Sequence, residues 1–140
     1  MPQTVLTIAT QGPGLYEFTD RAEAFVREVR IGTGLLTLFC RHTSCSLLVQ
    51  ENADPAVKRD LDAYFRHIAP SLEDASMAFL THRTEGPDDM PAHIRSALTA
   101  VSISIPVTAG KLALGTWQGI YLFEHRDRPH RREVVLHLGA

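Results

Sequence analysis

With 140 residues, 44% hydrophobic and 21% charged, the chain has the size and composition of one globular domain, 1–140, with no room for a second. Fourteen Lys and Arg against sixteen Asp and Glu give a net charge of −2, so the basic footprint of a nucleic-acid-binding protein is missing. The uncharged stretch 96–110 is shorter than the roughly 20 residues of a membrane helix; with no basic residue before Arg21 to open a signal peptide, the expectation is a cytoplasmic protein without membrane contact.

Residues 5–10 and 15–18 alternate apolar with polar around Gly12, Pro13 and Gly14, which predicts two short strands and a turn. Asp20 and Glu23 read as a capping box for a helix whose Ala22, Phe25, Val26 and Val29 face inward and which ends near Gly32. Strands follow at 35–40 and 46–50, flanking the polar segment 41–45. Cys40 and Cys45 belong to no CxxC or repeated Cys/His module and are expected to be reduced. Asp54 and Pro55 read as N-cap and first residue of a second helix, with Val57, Leu61, Tyr64, Phe65 and Ile68 on its apolar face before Pro70.

Residues 71–91 read as a loop with one short strand around 78–80, and Pro91 as the start of a third helix that turns Ile94, Ala97, Leu98 and Val101 inward. Strands are expected at 102–107, 112–117, 119–124 and 133–138. Three helices among strands that lack helical crossovers give an α+β class with mainly antiparallel sheets.

Three polar constellations could carry chemistry. The first runs from Arg41, His42, Thr43 and Ser44 to Glu51, Asn52, Ala53 and Asp54. Its hydroxyls and imidazole suit an oxyanion or a metal, and Glu51 suits a base; an exposed strand end with simple helix capping is the plain alternative. In the second, His82, Glu85, Asp88, Asp89 and His93 offer the nitrogen and oxygen donors that zinc or a similar cation takes. A further ligand would have to come from elsewhere, with His42 the best candidate; otherwise this is a hydrated acidic loop. The third places Arg126, Arg128, Arg131 and Arg132 after Trp117, Gln118 and Glu124. Four arginines in seven residues suit a phosphate or pyrophosphate clamp, or a solvated hairpin tip, or a subunit contact. Trp117 is expected half in the core, or lining a ring-binding pocket. No GxSxG, GxxxxGK[ST] or dinucleotide fingerprint occurs.

The segments His42-Thr43-Ser44-Cys45-Ser46-Leu47 with Glu51-Asn52-Ala53-Asp54-Pro55, Glu85-Gly86-Pro87-Asp88-Asp89-Met90-Pro91-Ala92-His93-Ile94, Gly115-Thr116-Trp117-Gln118-Gly119-Ile120-Tyr121-Leu122 and Glu124-His125-Arg126 resemble the YjbQ family, in order and essentially end to end. That resemblance implies a sandwich-like α+β subunit, a homotrimer, and a weak, secondary thiamine-phosphate synthase activity. Such an enzyme joins hydroxymethylpyrimidine diphosphate to a thiazole phosphate and releases pyrophosphate, so the partner it implies is a small phosphorylated heteroaromatic substrate. Carried onto this chain, His42, His82 and His93 would hold a divalent metal, zinc or similar, or a phosphate. Thr43, Ser44, Asn52, Trp117, Gln118 and Arg126 would bind substrate, and Glu51 or Glu124 would orient it or hold a proton. A non-catalytic trimeric module that binds a metal or phosphometabolite, and a metal-dependent phosphoester hydrolase, are the rival readings.

Overall fold

The computed structural model describes residues 2–140. In chain order the elements are β1 (Gln3–Thr10), β2 (Gly14–Glu17), α1 (Thr19–Val29), β3 (Gly34–Cys40), β4 (Cys45–Glu51), α2 (Pro55–Ile68), a 3-10 turn (Ala75–Met77), α3 (Asp89–Leu98), β5 (Ser102–Thr108), β6 (Lys111–Leu112), β7 (Gln118–Glu124) and β8 (His130–Gly139). The strands form a five-stranded sheet in the order β1-β8-β3-β5-β6 and a three-stranded sheet in the order β2-β7-β4. Every strand pairing is antiparallel. The expected α+β class with three helices is the one observed.

Strand periodicity builds the space between the sheets. On β8, Arg132, Val134, Leu136 and Leu138 are buried while Arg131 and Glu133 are exposed; on β3, Leu36, Leu38 and Cys40 point the same way. Against them pack Leu47 of β4 and Ile120 and Leu122 of β7, with Ala22, Phe25 and Val26 of α1 closing one end. β7 is covered on both faces. Its alternate residues Tyr121 and Phe123 form a second cluster with Leu15, Leu61 and Phe65, in which the Phe65 and Phe123 rings meet edge to face at 5.2 Å. β7 therefore reads as a continuous apolar run because no face of it meets water.

Several local expectations are corrected. Thr19, not Asp20, opens α1: its hydroxyl donates to Glu17 Oε2 at 2.7 Å and accepts the Ile120 N–H at 2.8 Å. Asp20 thus sits inside the first turn with no capping bond, where a carboxylate still suits the helix dipole. α1 ends on Arg30 at φ 59°, not on a glycine. Residues 78–80 form no strand; they follow the 3-10 turn Ala75–Met77, which is capped by Asp74, whose carboxylate accepts the Ser76 N–H at 2.9 Å. Strand β6 stops at Leu112, so 113–117 is irregular and Trp117 is 63% exposed, not half in the core. The arginine segment is no hairpin tip either, since it carries the chain from the small sheet (β7) to the large one (β8).

The inward face of α3 is also different from the expected one. Ala92, Arg95 and Ser96 are buried, whereas Leu98 is 59% exposed and Val101 is also exposed. Hydrogen bonds decide this. Arg95 donates to the Ala69 carbonyl from Nε (3.2 Å) and Nη2 (2.6 Å), and Ser96 donates to the Cys45 carbonyl (3.3 Å). These satisfy carbonyls at the end of α2 and the start of β4 that an apolar face would leave without these donors.

Because Leu122 is fully buried between both sheets, Leu122→Ala is expected to cost about 2–5 kcal/mol, from lost transfer energy plus the cavity left. Urea denaturation measures it; a change below about 1 kcal/mol would contradict the packing described.

Candidate functional site

Strands β4 and β7 run antiparallel from Cys45↔Glu124 at one end to Glu51↔Gln118 at the other. The polar motifs divide between those ends, about 20 Å apart at roughly 3.3 Å per residue. At the Cys45 end lie the 41–44 segment, the 82–93 segment and 124–132; at the other lie Glu51, Asn52, Trp117 and Gln118.

The first end holds a cluster of donors. Asp89 opens α3 and His93 lies one turn on, so the i, i+4 spacing sets them side by side. His82 comes back from the preceding loop. Nε2 of His82 is 2.7 Å and Nε2 of His93 is 3.0 Å from the same oxygen, Asp89 Oδ2, and all three ligand atoms lie within 4.8 Å of one another. His93 Nδ1 is 2.8 Å from the Thr43 carbonyl oxygen. A carbonyl only accepts, so Nδ1 carries the hydrogen. In a neutral ring Nε2 then presents a lone pair to a carboxylate oxygen, and the two acceptors need a cation between them, either a proton or a metal. A backbone carbonyl on Nδ1 is the usual orienting partner of a metal-binding histidine.

Arg126 holds the carboxylate from behind. Its Nη1 donates to Asp89 Oδ1 at 2.7 Å, its Nε to Asp88 Oδ2 at 2.9 Å, and its Nη2 to the Glu85 carbonyl at 3.1 Å. Burial opposes ionisation of Asp89; the bond from His82, the charges of His93 and Arg126 and the bond from His93 outweigh it, leaving its carboxyl below the ordinary value. For Asp88 the same opposition is overcome by Arg126 and by the Asp127 N–H. The guanidinium is therefore engaged by this loop through Nε, Nη1 and Nη2.

Beneath the cluster lies a buried polar layer. Glu124 accepts from Arg132 Nε (2.7 Å) and Nη2 (2.5 Å) and from the Thr10 hydroxyl (2.7 Å). It also takes the N–H groups of His125 and Arg126. Burial alone would raise its pKa, but these donors hold it below the usual carboxylate value. Arg132 Nη2 goes on to Ser44 Oγ at 3.0 Å. His125, buried and beside the Arg95 charge, is pushed down to about 3 and is thus a neutral imidazole, with Nε2 2.9 Å from Ser46 Oγ and Nδ1 lacking a partner among the described residues. Cys40 and Cys45 are free thiols with sulfurs 3.2 Å apart.

The remaining expected residues are placed as follows. His42 is outside the donor cluster: its Nε2 accepts the Glu133 N–H at 2.8 Å. It lines, with Phe39, Cys40, Thr43, His93 and Val101, an open groove of about 640 Å³ beside the cluster. Glu51 Oε2 takes the Ala53 and Asp54 N–H groups, both at 3.0 Å. Asn52 donates to Glu17 Oε2 at 3.3 Å, and Gln118 Oε1 accepts the Gly115 N–H at 2.7 Å. Asp89, one of the donors expected in the second constellation, stands where the resemblance put His42; its i, i+4 spacing to His93 pointed that way, but starting α3 at Pro91 left Asp89 off the helix.

The family described as UPF0047 protein YjbQ-like matches residues 4–140. The chain is 54% identical over 99% of its length to the UPF0047 protein sll1880 of Synechocystis, covering 91% of that protein. It is 39% identical over 95% to the UPF0047 protein YjbQ of Salmonella typhimurium, covering 94% of it. Among solved structures, a YjbQ/UPF0047-family protein from Clostridium acetobutylicum superposes with a TM-score of 0.85 at 31% identity, over 97% of this chain and 99% of that one. A hypothetical protein from Aeropyrum pernix, APE1520, gives 0.88 at 26% identity over 100% and 99%.

Replacing Glu124 with Gln leaves Arg132 buried without its countercharge and is expected to cost about 3–5 kcal/mol. With the folded-state pKa depressed, the wild type gains this stability above the unfolded carboxylate pKa and loses it as pH falls through the folded one. A denaturation series from pH 7 down through 4.5, the ordinary value, should show a steeper decline for wild type than for Glu124→Gln; parallel curves would contradict the assignment.

Proposed function

The chain belongs to the YjbQ-like UPF0047 family, and on that premise we propose that it is a metal-dependent enzyme of the secondary thiamine-phosphate synthase kind. The reaction joins hydroxymethylpyrimidine diphosphate to a thiazole phosphate and releases pyrophosphate. The observation that carries the reading is the shared Asp89 oxygen between two imidazole Nε2 atoms, one of them oriented through Thr43. Two nitrogens and a carboxylate oxygen suit zinc or a similar divalent ion. His82, Asp89 and His93 would hold it, in place of the all-histidine set implied by resemblance. When bound, it would supply charge neutralisation for the departing pyrophosphate.

In this reading the chain's own groups bind and orient. Arg126 fixes the carboxylate, and Thr43 fixes the imidazole. The groove beside His93, with Phe39 and Val101 as apolar walls, accommodates the heteroaromatic ring. Glu124 keeps Arg132 neutralised and serves the site by positioning, since both its oxygens are taken up in the core. Asn52, Trp117 and Gln118 lie at the far end of β4 and β7, so they reach such a site only from a neighbouring copy. A homotrimer provides one. Its support is the outer face of the five-stranded sheet, where Val5, Leu35 and Phe39 are exposed as an apolar face of the kind subunits cover.

Elemental analysis of the purified protein, with thiamine-phosphate formation measured beside it, tests the reading. His93→Ala and Asp89→Asn are expected to lose metal and turnover together, and Arg126→Ala to bind the metal about 10–100-fold more weakly. Turnover indifferent to all three changes removes the synthase reading. Stoichiometric metal without product favours the binding module, and product from simple phosphoesters favours the hydrolase. Light scattering should give three times the 15.5 kDa chain mass; a monomer would remove the neighbour's contribution.

A further inference from the structure

The two cysteines take no part in the function proposed above, yet the fold brings their two sulfurs into contact. Cys40 ends β3 in one sheet and Cys45 opens β4 in the other. Their sulfurs are 3.2 Å apart, and Cys40 Sγ is also 3.5 Å from the Cys45 carbonyl oxygen. Bonded sulfurs lie about 2 Å apart, so closing the pair needs a movement of only about 1 Å. Both thiols are buried, but Cys40 forms part of the wall of the groove beside His93, which gives a small reagent a route to it. Between them runs 41–44. His42 there accepts from β8, Thr43 accepts from His93, and Ser44 accepts from Arg132.

We propose that Cys40 and Cys45 form a reversible intramolecular disulfide when a hydroperoxide enters the groove, and that this crosslink shifts the segment that orients His93. The Cys40 sulfur attacks the hydroperoxide, the O–O bond breaks, and the alcohol leaves with the thiol proton, giving a sulfenic acid at Cys40. Cys45 sulfur then displaces the hydroxyl; its own proton departs with it as water, and the S–S bond forms. Two thiols are oxidised by two electrons, and one hydroperoxide is reduced to alcohol and water. Small thiols reverse the step by exchange. Drawing the ends of 41–44 together moves the Thr43 carbonyl off His93 Nδ1 and frees the ring to turn. The crosslink stands independently of the metal reading; its effect on the site rests on that reading.

The experiment treats the folded, reduced protein with hydrogen peroxide, unfolds it in the presence of an alkylating reagent, and weighs it intact and after proteolysis. The expected product lacks two hydrogens, takes up no alkyl group, yields a peptide joining Cys40 to Cys45, and regains two alkylation sites after dithiothreitol. Cys45→Ser, unable to resolve the sulfenic acid, should add oxygen instead. Thiols that remain alkylatable in the wild type, oxygen adducts in place of the crosslink, or disulfides between chains would overturn the proposal. Titration with cobalt(II) reads the coupling: the oxidised form should bind about 10-fold more weakly than the reduced form. Equal affinities overturn the coupling. No binding by the reduced form sinks the metal reading and the coupling with it, while the mass result still decides the crosslink.

Discussion

The Glu124–Arg132 pair is the interaction on which the site end of the molecule depends. Glu124 ends β7 in the small sheet and Arg132 lies on β8 in the large one, so a single buried ion pair joins the two layers. Burying two charges is costly unless every remaining lone pair and N–H is matched. Here Thr10, Ser44 and the backbone of His125 and Arg126 complete the matching. Each of these partners then sits at a fixed place. Arg126 therefore leaves the core at a defined point and meets Asp88 and Asp89, and the 41–44 segment is pinned from below by Ser44 and from above by His93.

A divided labour between layers results. The donors that could hold a cation are the partly accessible His82 and His93 and the buried Asp89, while the groups that aim them are buried or engaged with backbone. Asp89 is ionised because Arg126, His82 and His93 surround it, despite its burial. His125 goes the other way, staying neutral beside Arg95 and Phe123 at the core of the same end. Two ionisable groups a few residues from one another in space thus serve opposite purposes, one keeping a charge for the site and the other adding none to the interior.

The elements with strong periodicity were legible in the sequence: α1, α2, β3, β4 and β8 all lie where their apolar spacing put them, although Tyr64 and Ile68 on the expected apolar face of α2 are exposed. What escaped was decided by contacts between distant segments. Arg95 and Ser96 turned α3 round through the carbonyls of Ala69 and Cys45, which no spacing rule encodes. Thr19 displaced Asp20 as the opening residue of α1 because Ile120 supplies a partner 101 residues away. In the site, His82 and His93 do meet, because loop and helix are close in sequence, and Asp89, already among the expected donors, joins them because α3 begins two residues before Pro91. His42 lies apart because the N–H of Glu133, far along the chain, claims its ring nitrogen. Trp117 is exposed because β6 ends early and leaves its loop outside both sheets.

The strand order of the large sheet bears on how the protein is made. β8 lies between β1 and β3, pairing Val5 with Val135 on one side and Leu38 with Leu136 on the other. A ribosome therefore delivers β1 and β3 well before the strand that separates them, and each waits with an open hydrogen-bonding edge. The small sheet is free of that delay once residue 124 has emerged, since β2, β4 and β7 are complete by then. During synthesis the three-stranded layer with α2 can assemble first, and the larger layer closes over it only when the final segment slots in, a step governed by pairings of very long sequence separation.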